Sequence, residues 1–185
     1  MNFNQNAGKI YNVNGVENFH AYQLLILNEF SDQRSDRCSN DYYNLIVYGG
    51  EPWFDVEPKH ITMPMDRAIA EDFYVGHEIK ARYFRFTQEA ISELETFPCV
   101  FAYENFKGKC TKPDHEAAVG QLTRIKKRSN GIEVYFRTWF HVNQQRINEL
   151  SDDLGIIGLE LSRTHWTVKE IDLMEVLQDN GMLRF

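Results

Sequence analysis

The residues best suited to binding an anion lie close together near the C-terminus. Arg163, His165 and Lys169 can each carry positive charge, and Trp166 offers a flat ring for stacking. The pattern T-x-x-E that starts at Thr167 matches a capping box and predicts the start of a helix. The free N–H groups and the dipole of a helix start favour negative charge. The segment therefore predicts a phosphate or carboxylate site at a strand-to-helix junction.

A structural role for the same residues is the competing interpretation. Trp166 would then belong to the core, Arg163 would pair with Glu160 or Asp172, and His165 would hydrogen-bond a loop. We favour this interpretation, because the segment contains no nucleophile with an adjacent base.

A second candidate surface is a β-hairpin. Residues 117–126 and 132–140 alternate apolar and polar side chains around a Ser-Asn-Gly turn at 129–131, which is typical of two paired strands. On the second strand we expect Ile132 and Phe140 on the inner face.

The hairpin lies in a basic stretch of an acidic chain. Between Asn105 and Arg146 there are nine lysines or arginines and three acidic residues, whereas the whole chain has a net charge of −7. Cations beside aromatic rings are typical of single-strand binders. The predicted nucleic-acid contacts are Arg124, Lys126, Lys127, Arg128, Arg137 and Trp139. Solubility and protection of strand edges are the competing explanation of a lysine-rich hairpin tip.

Signatures of common enzymes are missing from the sequence, which has no P-loop, G-x-G-x-x-G, G-x-S-x-G or H-E-x-x-H. Cys110, Asp114 and His115 lie close together, but no second pair of metal ligands follows at useful spacing. We therefore predict a loop there, and no metal or cofactor. The cysteines, with Cys38 and Cys99, are too few and too widely spaced for a disulfide framework, which favours a reducing compartment.

The chain is expected to be cytoplasmic and to make no membrane contact. No apolar run approaches the roughly 18 residues of a membrane helix. The N-terminal residues lack the basic start and the apolar centre of a secretory signal.

The pattern of the whole chain predicts strands with short helices between them. Besides the hairpin, we expect strands over residues 19–30, 42–48, 73–86, 99–103 and 156–161, and helices over 88–96, 143–153 and from 167 to a stop at 180–181. This order indicates an α+β fold with a mostly antiparallel sheet or partial barrel and three short helices. We divide the chain into an Asn/Gly-rich N-terminal arm, residues 1–18, and a single α+β domain, residues 19–185.

Asparagine alternates with apolar residues in the N-terminal arm. Such a pattern supports stacking between identical segments, because each side-chain amide can bond to its copy above and below. A hairpin that turns at Asn14-Gly15 is the competing, favoured structure. We predict that the arm mediates self-association or binds another protein.

Two stretches resemble segments of bacterial defence proteins. Residues 6–15, NAGKIYNVNG, resemble the Asn/Gly-rich segments beside domains of bacterial immune and conflict proteins, some of which template amyloid-like assemblies. Residues 163–169, RTHWTVK, resemble the C-terminal part of uncharacterised bacterial proteins of similar setting. The resemblance implies a context in defence against viruses, and no particular activity.

Three functions are compatible with the sequence. The leading hypothesis is a non-enzymatic interaction or ligand-sensing module of a bacterial defence system. The first alternative is a nucleic-acid-binding accessory domain that uses the basic hairpin. The second is an enzyme that acts on a phosphorylated or nucleotide substrate at the strand-to-helix junction.

Deletion of residues 1–18 tests the assignment of the arm. Because the arm contains few large apolar side chains, we expect the remaining chain to melt cooperatively while its self-association or partner binding changes. Thermal melts and light scattering measure the two effects. Loss of the cooperative melt would show that the arm is an integral strand of the domain.

Overall fold

The computed structural model describes residues 38–50, 59–70 and 74–183. The N-terminal arm and the strand expected over residues 19–30 lie outside the described residues. Within them no helix is both long and apolar enough to cross a membrane. The elements are, in chain order, β1 (Tyr43–Tyr48), β2 (His60–Met63), a 3-10 turn (Met65–Arg67), α1 (His77–Tyr83), α2 (Gln88–Leu94), β3 (Pro98–Tyr103), β4 (Glu116–Arg128), β5 (Gly131–Asn143), α3 (Gln144–Glu149), a 3-10 turn (Glu160–Ser162), β6 (His165–Lys169) and α4 (Leu173–Asp179).

The strands form one curled sheet in the order β2-β5-β4-β3-β1-β6. β1 and β3 are parallel, and the other four neighbouring pairs are antiparallel. The predicted α+β fold with a mostly antiparallel sheet, curled into a half-barrel, is therefore confirmed. The described residues contain four short α-helices rather than three.

Each face of the sheet packs against its own apolar core. In the first core, Tyr83 of α1 and Leu94 of α2 pack on one face. In the second core, Ile147 of α3 and Leu177 of α4 pack on the opposite face. Strands buried on both sides are mostly apolar, as β1 is apart from Asn44. The second core covers only part of its face, and the remaining part carries the hairpin's polar side chains.

The predicted hairpin is confirmed, and its register shifts at two β-bulges. β4 and β5 pair along their whole length, and the last pair, Arg128 with Gly131, closes a two-residue loop. The register shifts between Val119 and Gly120 and again between Leu122 and Arg124. A Cβ atom on Gly120 would lie 2.0 Å from the Arg137 carbonyl oxygen, so the first bulge requires glycine. Each bulge adds a residue and changes which side chains face the core.

One consequence of the first bulge corrects the expected inner face of β5. Phe140 pairs with Val119, a residue of the second core, whereas Ile132 belongs to the first core. The two side chains therefore lie on opposite faces, because the extra residue between them interrupts the alternation of the strand.

The strand expected over residues 73–86 is wrong, because the described part of this segment forms α1. Its aromatic residues favour a strand by composition. Ile79 and Tyr83 lie one helical turn apart, however, and both pack against the first core. The segment ends at Phe86, whose φ of +50° is rare for an aromatic residue and turns the chain towards α2.

The strand expected over residues 156–161 is also wrong. Gly155 and Gly158 have φ angles of +62° and +57°, which an extended strand does not allow. The apolar side chains Ile156 and Leu161 are buried nonetheless. The pattern therefore indicated burial correctly and the backbone conformation incorrectly.

The predicted helices over residues 88–96 and 143–153 are confirmed, with shorter bounds. The Thr87 hydroxyl accepts a hydrogen bond from the Ala90 N–H at 3.3 Å and caps α2. The Asn143 side chain accepts one from the Gln145 N–H at 2.9 Å and caps α3. Side-chain oxygens at these positions satisfy N–H groups that have no partner within the helix.

Candidate nucleic-acid interface

The first candidate site lies on an edge strand and not at a helix start. His165, Trp166 and Lys169 belong to β6, which pairs with β1 along the edge of the sheet. The predicted capping box is wrong, because the cap of α4 lies five residues later than expected, at Asp172, and the helix begins at Leu173. Its cap is Asp172, whose carboxylate accepts hydrogen bonds from two backbone N–H groups of the first turn. Arg163 precedes β6 and is exposed.

Trp166 is fully buried in the first core, where the centroids of its ring and the Phe86 ring are 5.4 Å apart. Its indole N–H donates to the Asn44 side-chain oxygen at 3.0 Å, and the Asn44 amide donates to the Leu94 carbonyl. A buried indole normally finds such a partner. The ring is therefore a packed core residue and has no open face on which a ligand could stack.

A buried carboxylate organises the other face of β6. Glu160 has no exposed surface. Its oxygens lie 2.8 Å from the Lys169 ammonium, 3.1 Å from the Thr167 hydroxyl and 3.3 Å from the His165 Nε2 atom. The Ile157 N–H also donates to it. The cations that the sequence suggested for an external anion thus lie against an internal one.

Two opposing effects set the pKa of Glu160. Burial raises the pKa of the carboxyl, but the His165 hydrogen bond and the Lys169 charge outweigh it, so the pKa lies below its ordinary value of 4.5. For Lys169, burial lowers the pKa and Glu160 offsets only part of the effect. The carboxylate is the better stabilised partner, because it accepts from Lys169, Thr167 and the Ile157 N–H and also contacts the His165 ring, whereas the ammonium contacts Glu160 and, at 3.4 Å, the Tyr74 carbonyl.

The second candidate site forms one surface, which we call the basic face. Residues paired directly across strands share a face of a sheet. Lys126 pairs with Glu133, Arg124 with Tyr135, and Gln121 with Arg137, all on the side opposite the first core. Arg128 continues the row at the tip of the hairpin. The basic face therefore displays four predicted cations, Arg124, Lys126, Arg128 and Arg137, around Tyr135 and Glu133.

Two predicted contacts lie elsewhere. Lys127 pairs with Ile132 of the first core and so projects from the opposite face, where its ammonium contacts the Arg85 carbonyl at 3.4 Å. Trp139 is the extra residue of the first bulge, and it packs against the second core. Lys127 follows the alternation of β4, which places it on the face opposite Lys126 and Arg128. Trp139 stays on the side of Arg137, but there it packs against the second core.

Strand β2 adds groups that the hairpin sequence does not suggest. His60 pairs with Tyr135, and the two rings stack with centroids 5.3 Å apart. Lys59 precedes β2 and lies on the side of the first core with Ile61, so it is not part of the basic face; its ammonium donates to the Thr138 hydroxyl at 2.7 Å. In the sequence, His60 lies far from the hairpin, and no local pattern indicates that its segment pairs with β5.

Contacts within the basic face determine what it can bind. The Lys126 ammonium lies 5.0 Å from the centre of the Tyr135 ring, whose neighbour on β2 is His60. Tyr135 is therefore partly covered, and charge is the main feature offered to a ligand. Arg128 hydrogen-bonds Glu133 at 2.9 Å and, with Lys126, lowers the pKa of that carboxyl. Glu133 thus competes with any external anion for the same cations.

Comparison with known proteins adds no identification, since no family model, curated protein or solved structure matches the chain. Among residues 38–50, 59–70 and 74–183, no three His, Cys, Asp or Glu side chains are grouped so that they could hold a metal ion.

Replacing Glu160 tests the role of the buried network. We expect Glu160→Gln to lower the free energy of unfolding by about 3–5 kcal/mol, because the buried Lys169 charge loses its partner. The double variant Glu160→Gln/Lys169→Met should recover most of this loss. Chemical denaturation near neutral pH measures both. A small effect of Glu160→Gln, or no recovery in the double variant, would contradict the assignment.

The pH dependence provides a second measurement on the same network. The lowered pKa of Glu160 means that its stabilisation is complete above pH 4.5 and is lost as the pH falls through the folded-state value. The lowered pKa of Lys169 acts at the other end: the folded state binds fewer protons than the unfolded state below 10.5, so stability should rise with pH in that window. In Glu160→Gln the alkaline rise should be larger and the acid loss smaller than in the native protein.

Proposed function

We propose that the protein is a non-enzymatic binding module that contacts nucleic acid through the basic face. The observation that supports this proposal is the placement of four cations from two adjacent strands on one side of the sheet, with Glu133 in their row and Glu95 near Arg124. A localised positive surface attracts phosphates even when the whole chain is acidic. Such a surface needs neither a nucleophile nor a general base.

The contacts favour recognition of the phosphate backbone over recognition of bases. Tyr135 lies beside His60 and Lys126, so a base would have to displace one of them in order to stack. Phosphate contacts carry no sequence information and release counterions. We therefore expect weak, sequence-independent binding that decreases steeply as salt increases.

The remaining parts of the proposal come from the sequence. The N-terminal arm would supply self-association or a protein contact, and the resemblance favours a cytoplasmic role in bacterial defence. Nucleic acid would then be the ligand that the module senses.

Charge reversal on the basic face tests the proposal. We expect Arg124→Glu/Lys126→Glu to reduce affinity for a single-stranded oligonucleotide by at least about tenfold at low salt, and to flatten the salt dependence. Four phosphate contacts give a slope of log K against log salt of about −3 for a single strand, at roughly −0.7 for each contact. Removal of two should halve it. Fluorescence anisotropy at several salt concentrations measures both quantities.

Lys127→Glu is the matched control, because Lys127 adjoins Lys126 in sequence and projects from the opposite face. Its affinity should stay within about twofold of the native value, since long-range effects of one exposed charge are largely screened by salt. An equal loss in this variant would assign binding to the opposite face, where His77, Lys80 and Arg85 line a groove. Absence of binding even at low salt would refute the proposal.

Removal of the Glu133 charge should change the affinity for an oligonucleotide in the opposite direction. Glu133→Gln releases Arg128 and Lys126 from an internal carboxylate and leaves the side-chain shape almost unchanged. We therefore expect tighter oligonucleotide binding and a steeper salt dependence than in the native protein. Unchanged or weaker binding would show that these two cations do not contact phosphate.

A further inference from the structure

The second bulge of β4 determines which side chains reach the basic face. Leu122 and Ile125 both belong to the first core, although they are three residues apart. A regular strand would direct them to opposite faces, because its alternation has a period of two. Thr123 is the extra residue of the register shift between Leu122 and Arg124, and it restores the alternation. With Leu122 in the core and no bulge, Arg124 and Lys126 would lie on the side of the first core.

Glu95 holds this bulge from outside the hairpin. It follows α2 directly and is half-buried. Its carboxylate accepts a hydrogen bond from the Ile125 N–H at 2.9 Å. β3 pairs with β4 only as far as Gln121, so within the described residues no strand continues beside Ile125 on that side. The carboxylate therefore takes the place of a neighbouring strand just after the bulge, where an N–H group needs an acceptor.

A second tie joins the same residue to the basic face. The Gln121 side-chain amide donates to the Glu95 carbonyl at 2.9 Å, and its oxygen accepts a hydrogen bond from the Arg137 guanidinium, also at 2.9 Å. Gln121 is buried. A buried amide that is bonded at both its donor and its acceptor keeps a fixed orientation. The C-terminal end of α2 is thus tied both to the bulge and, through Gln121, to Arg137.

The charge of Glu95 also acts on the basic face. Burial raises the pKa of the Glu95 carboxyl, while the Ile125 N–H and the Arg124 charge act against that rise. Arg124 belongs to the basic face, where it pairs with Tyr135. The carboxylate therefore opposes the binding of an anion through its charge and supports the arrangement of the cations through its hydrogen bond. The two effects have opposite signs, so they can be separated by substitution.

We propose that Glu95 is a positioning residue for the basic face, whose register it sets by accepting the Ile125 N–H. The inference rests on the proposed function, because binding of nucleic acid reports the register. A phosphate chain meets Arg124, Lys126 and Arg128 together only while the three side chains share one face. Without an acceptor for the Ile125 N–H, the bulge can migrate along β4, and the cations then divide between the two faces.

Two substitutions of similar size separate the hydrogen bond from the charge. Glu95→Gln removes the charge and keeps an oxygen that can accept from the Ile125 N–H, whereas Glu95→Met removes both. We expect Glu95→Gln to bind a single-stranded oligonucleotide at least as tightly as the native protein at low salt. Glu95→Met should bind about fivefold more weakly than Glu95→Gln, the factor that corresponds to one typical hydrogen bond. Its salt dependence should also be flatter.

Glu95→Asp repeats the comparison with the charge retained. The shorter side chain draws the carboxylate back from the Ile125 N–H, so this variant should bind at least about threefold more weakly than the native protein. Glu93→Gln is the matched control, because Glu93 lies two residues away on α2 and pairs with Arg82 instead of β4. Its affinity should stay within about twofold of the native value, since exposed charges at a distance are screened by salt.

Amide hydrogen exchange follows the bulge without a ligand. The Ile125 amide should exchange faster in Glu95→Met than in Glu95→Gln, because it has lost its acceptor. A role in stability alone would lower the melting temperature of Glu95→Met and leave its affinity equal to that of Glu95→Gln.

Fluorescence anisotropy at several salt concentrations measures the affinities and distinguishes the two proposals. Equal affinities of Glu95→Gln and Glu95→Met would overturn the role of Glu95 and leave the proposed function intact, provided that the native protein binds. Where Glu95→Met does not fold, equal affinities of Glu95→Asp and the native protein would have the same meaning. Absence of binding by the native protein would instead refute the proposed function.

Discussion

The register of the β4–β5 hairpin is the constraint on which the rest of the structure depends. Its two strands are adjacent interior strands of the sheet, and two bulges divide them into segments with different facing side chains. The segments near the base supply both cores, whereas the tip displays cations on the side opposite the first core. A continuous register would place Phe140 on the side of the first core, because the alternation of a strand has a period of two. The backbone contact at Gly120 keeps the first bulge in place.

The edge strand β6 illustrates how charge is used inside the fold. Its side chains alternate between a tryptophan in the first core and three polar groups directed to Glu160. Burial of a charged pair costs desolvation energy, and the polar groups around this carboxylate offset that cost. His165 and Lys169, which suggested an anion site in the sequence, therefore contact an internal carboxylate at the edge of the sheet.

The basic face depends on hydrogen bonds as well as on charge. It is an open surface on β2, β4 and β5, where charge acts over a distance set by salt. The cations of β4 share that surface because the second bulge restores the alternation of the strand, and Glu95 accepts the Ile125 N–H just after the bulge. An open charged surface suits an extended polyanion. The C-terminal end of α2, which lies outside the hairpin, is therefore joined to the strand that carries these cations.

The sequence by itself determined the fold class, the hairpin, strands β1 and β3, and the capped starts of α2 and α3, because these follow from local alternation and from side chains that bond nearby N–H groups. It misassigned α1, the segment before Glu160 and the start of α4, where aromatic content, apolar residues and a chance capping pattern resembled other elements. Only the tertiary structure decided that Trp139 packs against the second core, that Phe140 lies on the side of that core, and that His60 joins the basic face. These placements depend on bulges, on strand order and on pairing between distant segments. Local patterns contain no information about them, since the contacts join residues far apart in the chain.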